Sequence, residues 1–302
     1  MRHLFRTLSL ALPVVLAVAV SCTESLPEVN PGSEDKDAVY LKIGSVSTSD
    51  LTKSAIEGIK FPTAEAASIG LFIGDTNNKE FSKPAGSDTW SDPQIKLPAE
   101  DTTLYGYHPY QAGLTGISSI PVSSSVDGDD WMWATPVSEV SSSNPEVSLS
   151  MNHALALVEI TFNVTEYAEG SEMTALTLTA GSFAQEGTLN ATNGTVSAEG
   201  NATTGCQLLA DSQVLNLKDG KIVAKCLLVP TGHDGRQDMT IACTFAGRSL
   251  KATLSGDSKG VIVKSGTKST VSLNIKGSTM EVASVGIGEW NSNGETISET
   301  LE

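Results

Sequence analysis

Val147-Ser-Leu149-Ser-Met151-Asn-His153-Ala154-Leu155-Ala156-Leu157-Val158-Glu159-Ile160-Thr161-Phe162-Asn163-Val164 alternates in steps of two, and its apolar side changes once along the way. Val147, Leu149, Met151, His153 and Leu155 share one face, whereas Ala154, Ala156, Val158, Ile160, Phe162 and Val164 share the other. Period two is the repeat of an extended strand, because successive side chains point to opposite sides of a sheet. A long strand whose apolar face switches near His153 to Leu157 passes from one packing environment to another or carries a bulge. A domain boundary is therefore expected just before it, near Asn144.

The same alternation recurs on both sides. Val39, Leu41 and Ile43 alternate, as do Ile69, Leu71 and Ile73, then Leu176 and Leu178, then Val271, Leu273 and Ile275, each run bounded by turn-forming residues. Asn193-Gly194 and Asp219-Gly220 supply hairpin turns that require two positive φ angles. Met239, Ile241, Cys243 and Phe245, then Gly247, then Leu250, Ala252 and Leu254 make a third hairpin. No amphipathic helical pattern of ten or more residues occurs, and only Thr63 to Ala67 suggests a short turn. The reading is an all-β chain, and many short strands at regular spacing favour sandwiches over a parallel α/β sheet.

The N-terminus belongs outside that fold. Arg2, His3 and Arg6 precede an apolar run from Leu8 to Val20, which ends in Ser21 and Cys22, the order of a secretory signal peptide over residues 1–21. A membrane-spanning helix needs about 20 apolar residues, more than this run has, and Pro13 interrupts it. Ala19-Val-Ser-Cys22 resembles a lipobox, which implies acylation of Cys22 and anchoring of the exported chain to a membrane; each buried methylene contributes about 0.8 kcal/mol. Thr23 to Asp37, with Pro27, Pro31 and the acidic residues Glu34, Asp35 and Asp37, reads as a tether without a core of its own.

Without Arg2 and Arg6 the 19 basic residues become 17 against 35 acidic ones, a net charge of −18. Such a surface repels polyanions, so nucleic acid is excluded as a partner. Besides Cys22 the chain has Cys206, Cys226 and Cys243, with no spacing that suggests zinc. A bridge between Cys226 and Cys243 and a pair of buried thiols are both open.

Catalysis requires a nucleophile with a positioned base, paired carboxylates in a cleft, or metal ligands, and none of these is legible. His108 lies in Tyr105-Gly-Tyr107-His108-Pro109-Tyr110, His153 in the long strand and His233 in the loop Thr231-Gly-His-Asp-Gly235, none within a catalytic signature. Asp127-Gly-Asp129-Asp130 is acidic enough to suggest calcium but lacks the further ligands of a calcium loop, and is read as an acidic turn. No catalytic, cofactor or metal residue is assigned. Among the aromatics, Trp131 and Trp133 are expected in the core, and Trp90, flanked by Asp88, Thr89, Ser91 and Asp92, is the one expected to be exposed for a glycan.

Several motifs fall in a telling order: the lipobox, Leu104-Tyr-Gly-Tyr-His-Pro-Tyr110, Asp130-Trp-Met-Trp-Ala134, Met151-Asn-His-Ala-Leu-Ala-Leu-Val-Glu-Ile-Thr-Phe162, Leu227-Leu-Val-Pro-Thr231, Val263-Lys-Ser-Gly266 and Ile287-Gly-Glu-Trp290. In that order and spacing they resemble the fimbrillin family, subunits of the type V pili of Gram-negative anaerobic bacteria. Thr267-Lys-Ser-Thr270 departs from it, standing where an aromatic commonly precedes the strand. The resemblance implies two transthyretin-like β-sandwich domains in tandem, here residues 54–144 and 145–302. It further implies a lipidated precursor at the outer membrane, its first strand removed by a trypsin-like protease, and assembly with other fimbrial subunits by strand exchange. On that pattern residues 22–53 are a propeptide, Val39 to Ile43 the removable strand, Ser45 to Thr52 an accessible linker, and Lys53-Ser54 the cleavage site, with Lys36, Lys42 and Lys60 as alternatives. Glu281 to Ile287 and Ile297 to Glu302 are candidate donor strands. A monomeric surface lipoprotein that binds a glycan or a host protein is the alternative.

Overall fold

The computed structural model describes residues 37–48, 61, 64–126, 129–180, 184–199, 206–209, 213–232, 235–256 and 259–290. Their regular structure is all strand, and no helix among them is long and apolar enough to cross a membrane. The first nine strands are β1 (Lys42–Thr48), β2 (Ala67–Ile73), β3 (Thr76–Lys83), β4 (Thr102–His108), β5 (Ile120–Ser123), β6 (Ser125–Val126), β7 (Met132–Ala134), β8 (Val137–Val140) and β9 (Glu146–His153). The remainder are β10 (Ala156–Thr165), β11 (Glu172–Ala180), β12 (Glu186–Asn190), β13 (Thr195–Glu199), β14 (Cys206–Gln207), β15 (Leu215–Asn216), β16 (Lys221–Leu228), β17 (Met239–Phe245), β18 (Arg248–Leu254), β19 (Thr267–Lys276) and β20 (Thr279–Glu289).

The long alternating stretch is two strands in two sheets. β9 lies between β1 and β7 in a seven-stranded sheet of order β1-β9-β7-β4-β2-β3, with β8 also on β4. β10 lies between β19 and β16 in the five-stranded sheet β20-β19-β10-β16-β6. The passage from one sheet to the other falls at Ala154 and Leu155, where the Ala154 N–H donates to the Trp131 carbonyl and the Gly266 N–H to the Leu155 carbonyl. The strand that precedes this passage, β9, therefore belongs to the first sheet, although it lies beyond Asn144.

Three apolar cores follow from the alternation. Val147, Leu149 and Met151 of β9 join Ile69, Leu71, Leu104 and Phe81 in the first. Val158, Ile160 and Phe162 of β10, with Val271, Leu273 and Ile275 of β19, meet Leu176, Leu178, Ile241 and Phe245 of a further sheet, β14-β11-β17-β18, in a face-to-face sandwich. The third core gathers Phe72, Tyr107, Trp131, Leu155, Leu157 and Leu189. It is laced by strands that cross between the halves of the chain, since β5 pairs antiparallel with β12 and β6 with β16. From Ala38 on, the described residues form one compact unit.

Turn chemistry explains the hairpins. Asp219 and Gly220 have φ of 52° and 69°, and the Glu169 carboxylate accepts both of their N–H groups at 2.9 and 3.0 Å. Asn193-Gly194 differs from expectation: only Gly194 has a positive φ, 74°, in a longer turn closed by the Gly194 N–H on the Asn190 carbonyl at 2.8 Å. The Asn190 and Asn193 side chains each cap an N–H two residues on, at 3.0 Å, which stabilises a turn without a second left-handed residue. Cys226 and Cys243 are buried thiols in facing sheets and are not bridged. Burial pushes the Cys243 thiol up to about 11.

Candidate functional site

The first described segment is built of two hydrogen-bonded pieces. The Leu41 N–H donates to the Ile95 carbonyl at 2.8 Å, the Leu97 N–H donates to the Val39 carbonyl at 2.9 Å, and Tyr40 bridges Lys96. The Lys42 N–H then donates to the Pro145 carbonyl, and from Lys42 to Thr48 the chain runs parallel to β9, from Glu146 to Met151. A one-residue shift between Ile43 and Ser45 interrupts the register at Gly44. The shift reverses which side chains point inward. Leu41, Val46 and Thr48 are buried, Ile43 is half-buried against the first core, and Lys42, Gly44 and Ser45 are exposed.

This geometry corrects the expected limits of the first strand. Val39 to Ile43 is extended, but the strand proper is Lys42–Thr48, so Ser45 to Thr48 are sheet residues and not accessible linker. The bulge is the reason: alternation read from Val39 alone stops at Ile43, whereas Val46 resumes the inward face one residue out of phase. Cys22, Lys36, Lys53, Ser54, Lys60 and Ile297 to Glu302 lie outside the described residues, as do Asp127, Gly128, His233 and the side chain of Cys206.

Among the described residues β1 forms the end of its sheet, with β9 its only strand neighbour there. An edge strand presents its outer backbone groups to whatever approaches, and a bulge is one device by which an edge resists further pairing. Two serine contacts tie it to β9: Ser45 Oγ donates to Ser148 Oγ at 2.8 Å, and Ser47 Oγ to the Leu149 carbonyl at 3.4 Å. Beside it, Trp90 stacks on Phe81 with ring centroids 4.7 Å apart and meets Phe61 edge-on at 5.7 Å. Trp90 is therefore a half-buried lid of the first core, not the exposed platform expected from its polar flanks, because neither ring that holds it is among the residues that flank it in sequence.

The remaining sequence candidates have structural partners. Tyr107 is fully buried, and its hydroxyl donates to Asn78 Oδ1 at 2.7 Å. His108 Nδ1 lies 2.7 Å from the Ser68 carbonyl, and burial holds its pKa below the ordinary value against that bond and the nearby Asp130 and Asp129. Trp131 is buried as expected. Among the described residues no group of His, Cys, Asp and Glu is arranged to hold a metal ion.

One arrangement was not legible. His153 Nδ1 lies 3.0 Å from each carboxylate oxygen of Asp130, and its ring stacks on Trp290 with centroids 3.8 Å apart and planes 10° from parallel. Its Nε2 is buried without a hydrogen-bond partner. Residues 153 and 290 are too far apart in the chain for periodicity to reveal such a contact.

Residues 46–290 match the profile of the fimbrillin-like family. No curated protein matches the chain. A candidate cell adhesion protein from Bacteroides uniformis has 19% identity over 84% of this chain and 100% of that one, with a TM-score of 0.59. A second, from Bacteroides ovatus, has 17% identity over 84% and 97%, with a TM-score of 0.60. The tip fimbrial protein Mfa3 from Porphyromonas gingivalis has 8% identity over 75% and 95% at a TM-score of 0.39, too loose a likeness to argue from.

Proposed function

The chain belongs to the fimbrillin-like family and is a fimbrial or adhesin subunit of the cell surface, not an enzyme, and from that premise we propose that it is assembled by exchange of its first strand. In this reading Cys22 carries the lipid that delivers the exported precursor to the outer membrane. A trypsin-like protease cuts between Lys53 and Ser54, and other subunits of the fimbria hold the processed chain by a supplied strand. The division into two tandem transthyretin-like sandwiches, residues 54–144 and 145–302, belongs to the same proposal, with β9 at the start of the second segment completing the sheet of the first.

The observation that carries it is the placing of β1. It is an edge strand, parallel to one neighbour, and its inward side chains are part of the first core. A cut at Lys53 separates all of β1 from the chain that follows. Once β1 leaves, the β9 edge from Glu146 to Met151 loses its hydrogen-bonding partner, and the positions filled by Leu41, Ile43, Val46 and Thr48 become open. An incoming strand restores both: the backbone ladder supplies affinity, and the side-chain positions supply register.

Two measurements test the reading. Polymer sheared from cells should begin at Ser54 on N-terminal sequencing; a lipidated Cys22 at the start of the polymerised chain sinks the processing step. Recombinant residues 54–302 should form ladders on native electrophoresis, and a strictly monomeric product at high concentration removes the exchange step.

A further inference from the structure

A pocket of about 400 Å³ lies where the halves of the chain meet, bounded by the ends of β7, β9 and β20, the β12–β13 turn and the turn before β19. Trp133, Asn152, Lys264, Thr267, Glu289 and Trp290 line it, with His153 behind Trp290. Its volume falls within the range of about 300–1,000 Å³ usual for small-molecule sites.

Both indoles are half-buried and braced. A Cβ on Gly194 would sit 2.1 Å from the Trp133 ring, so the turn backbone lies directly against that indole, and only glycine permits the approach. Trp290 is supported by the parallel His153 ring, itself held by Asp130, and its backbone N–H donates to the Gly266 carbonyl at 2.8 Å, which fixes the main chain that carries the indole. The rings are therefore positioned before any ligand arrives, which lowers the ordering cost of binding.

The polar lining narrows the ligand class. Glu289 opposes an anion and Lys264 opposes a cation, so neither charged class is favoured. Two indole faces suit a ring with an apolar C–H side, while the Lys264 ammonium and the Glu289 carboxylate suit a rim of hydroxyl groups. The Asn152 amide, bonded to Thr135, and the Thr267 hydroxyl, bonded to the Lys264 backbone, shape the wall. A pyranose combines these properties in one rigid body. We propose that the pocket bounded by Trp133, Glu289 and Trp290 binds a neutral sugar, as a mono- or disaccharide unit.

This site is separate from the β1 groove and stands whether or not strands exchange. The test uses the full chain, with glucose, galactose, mannose and N-acetylglucosamine and their β-linked disaccharides at about 10 mM, above a weak Kd of about 1 mM. At least one should shift the tryptophan fluorescence and give a saturable heat on titration. Glu289→Ala and Lys264→Ala, both at exposed positions, should weaken that binding at least tenfold, and Trp133→Ala should abolish it, while Trp90→Ala leaves it unchanged. Silence of the whole panel overturns the proposal. So does binding that survives Trp133→Ala and both charge substitutions, because the sugar then sits elsewhere.

Discussion

β1 and β19 are the parallel strands of their sheets, one on β9 and the other on β10, and they are held in different ways. β19 has strands on both sides, β10 and β20, and its inward residues Val271, Leu273 and Ile275 are 2%, 0% and 0% exposed. Side chains reinforce it: Lys268 Nζ lies 3.4 Å from the Glu159 carboxylate, and Asn163 Nδ2 donates to Ser272 Oγ at 2.9 Å. Among the described residues β1 has one strand neighbour, a bulge, and only Val46 and Thr48 of its own residues buried. The difference separates a strand on which a sandwich depends from one added to the outside of a finished sheet. Undocking β19 dismantles the sandwich core, whereas undocking β1 leaves most of the first core in place.

The largest expected effect follows directly. Leu273→Ala should cost about 2–5 kcal/mol of global stability in denaturant unfolding, the range for emptying a packed leucine site. The comparison breaks if Leu41→Ala costs as much. Next is Glu159→Gln, which leaves the buried Lys268 ammonium with a neutral neighbour. An exposed ion pair contributes about 1 kcal/mol or less and breaking a buried one costs about 3–5 kcal/mol, so with Lys268 buried and Glu159 partly exposed a loss of about 1.5–3 kcal/mol is expected, while Ser45→Ala on β1 should cost less than about 0.5 kcal/mol, as exposed sites do.

Leu41→Ala comes third, at about 2 kcal/mol or less, near the low end for its type. The reason is a ceiling: once removal of Leu41 costs more than docking the strand gains, β1 opens locally and the rest of the fold feels nothing further. Hydrogen exchange sharpens the point. Ser45 to Thr48 amides should open with a smaller free energy than Val271 to Ile275 amides, and Leu41→Ala should speed the first group alone. Equal protection of the two groups in the parent chain would remove the distinction.

How much of this contrast the amino acids disclose depends on what a local pattern can encode. Alternation reports which side of a strand is buried, so Ile69 to Ile73, Val147 to Val164 and Val271 to Ile275 were legible, as was the change of face that becomes the passage between sheets at Ala154. It does not report the partner. That β1 and β19 are parallel, that β5 crosses to β12, and that Trp290 returns to His153 depend on pairings tens to more than a hundred residues apart. The β1 limits were missed for another reason: Gly44 absorbs one residue in a bulge, and the pattern resumes out of phase. Trp90 looked exposed because its neighbours in sequence are polar, while its neighbours in space are Phe61 and Phe81. At the candidate site the proposed cleavage residues Lys53 and Ser54 are read only in sequence, and the placing of β1 against β9 only in three dimensions.

The smallest effect concerns acid. His108, at the end of β4 in the first sheet, has its pKa held below 6.5, chiefly by burial. In the unfolded chain the same imidazole binds a proton as the pH falls through 6.5, before the folded protein does. The contribution of the neutral, buried ring is complete above pH 6.5 and declines as the pH falls from there toward the lowered value. Below that value both states carry the proton and the loss levels off. The ring stacks edge-on against Phe61 at 4.9 Å, so the weakening falls on the core that β1 helps to cover and not on the β19 sandwich. Between pH 7 and 5, after correction for intrinsic exchange rates, amides of β2 and β4 should lose more protection than those of β10 and β19, and His108→Gln should flatten the difference. A uniform loss across both regions, unchanged in His108→Gln, would assign the acid response to the many surface carboxylates and leave the two halves equally sensitive.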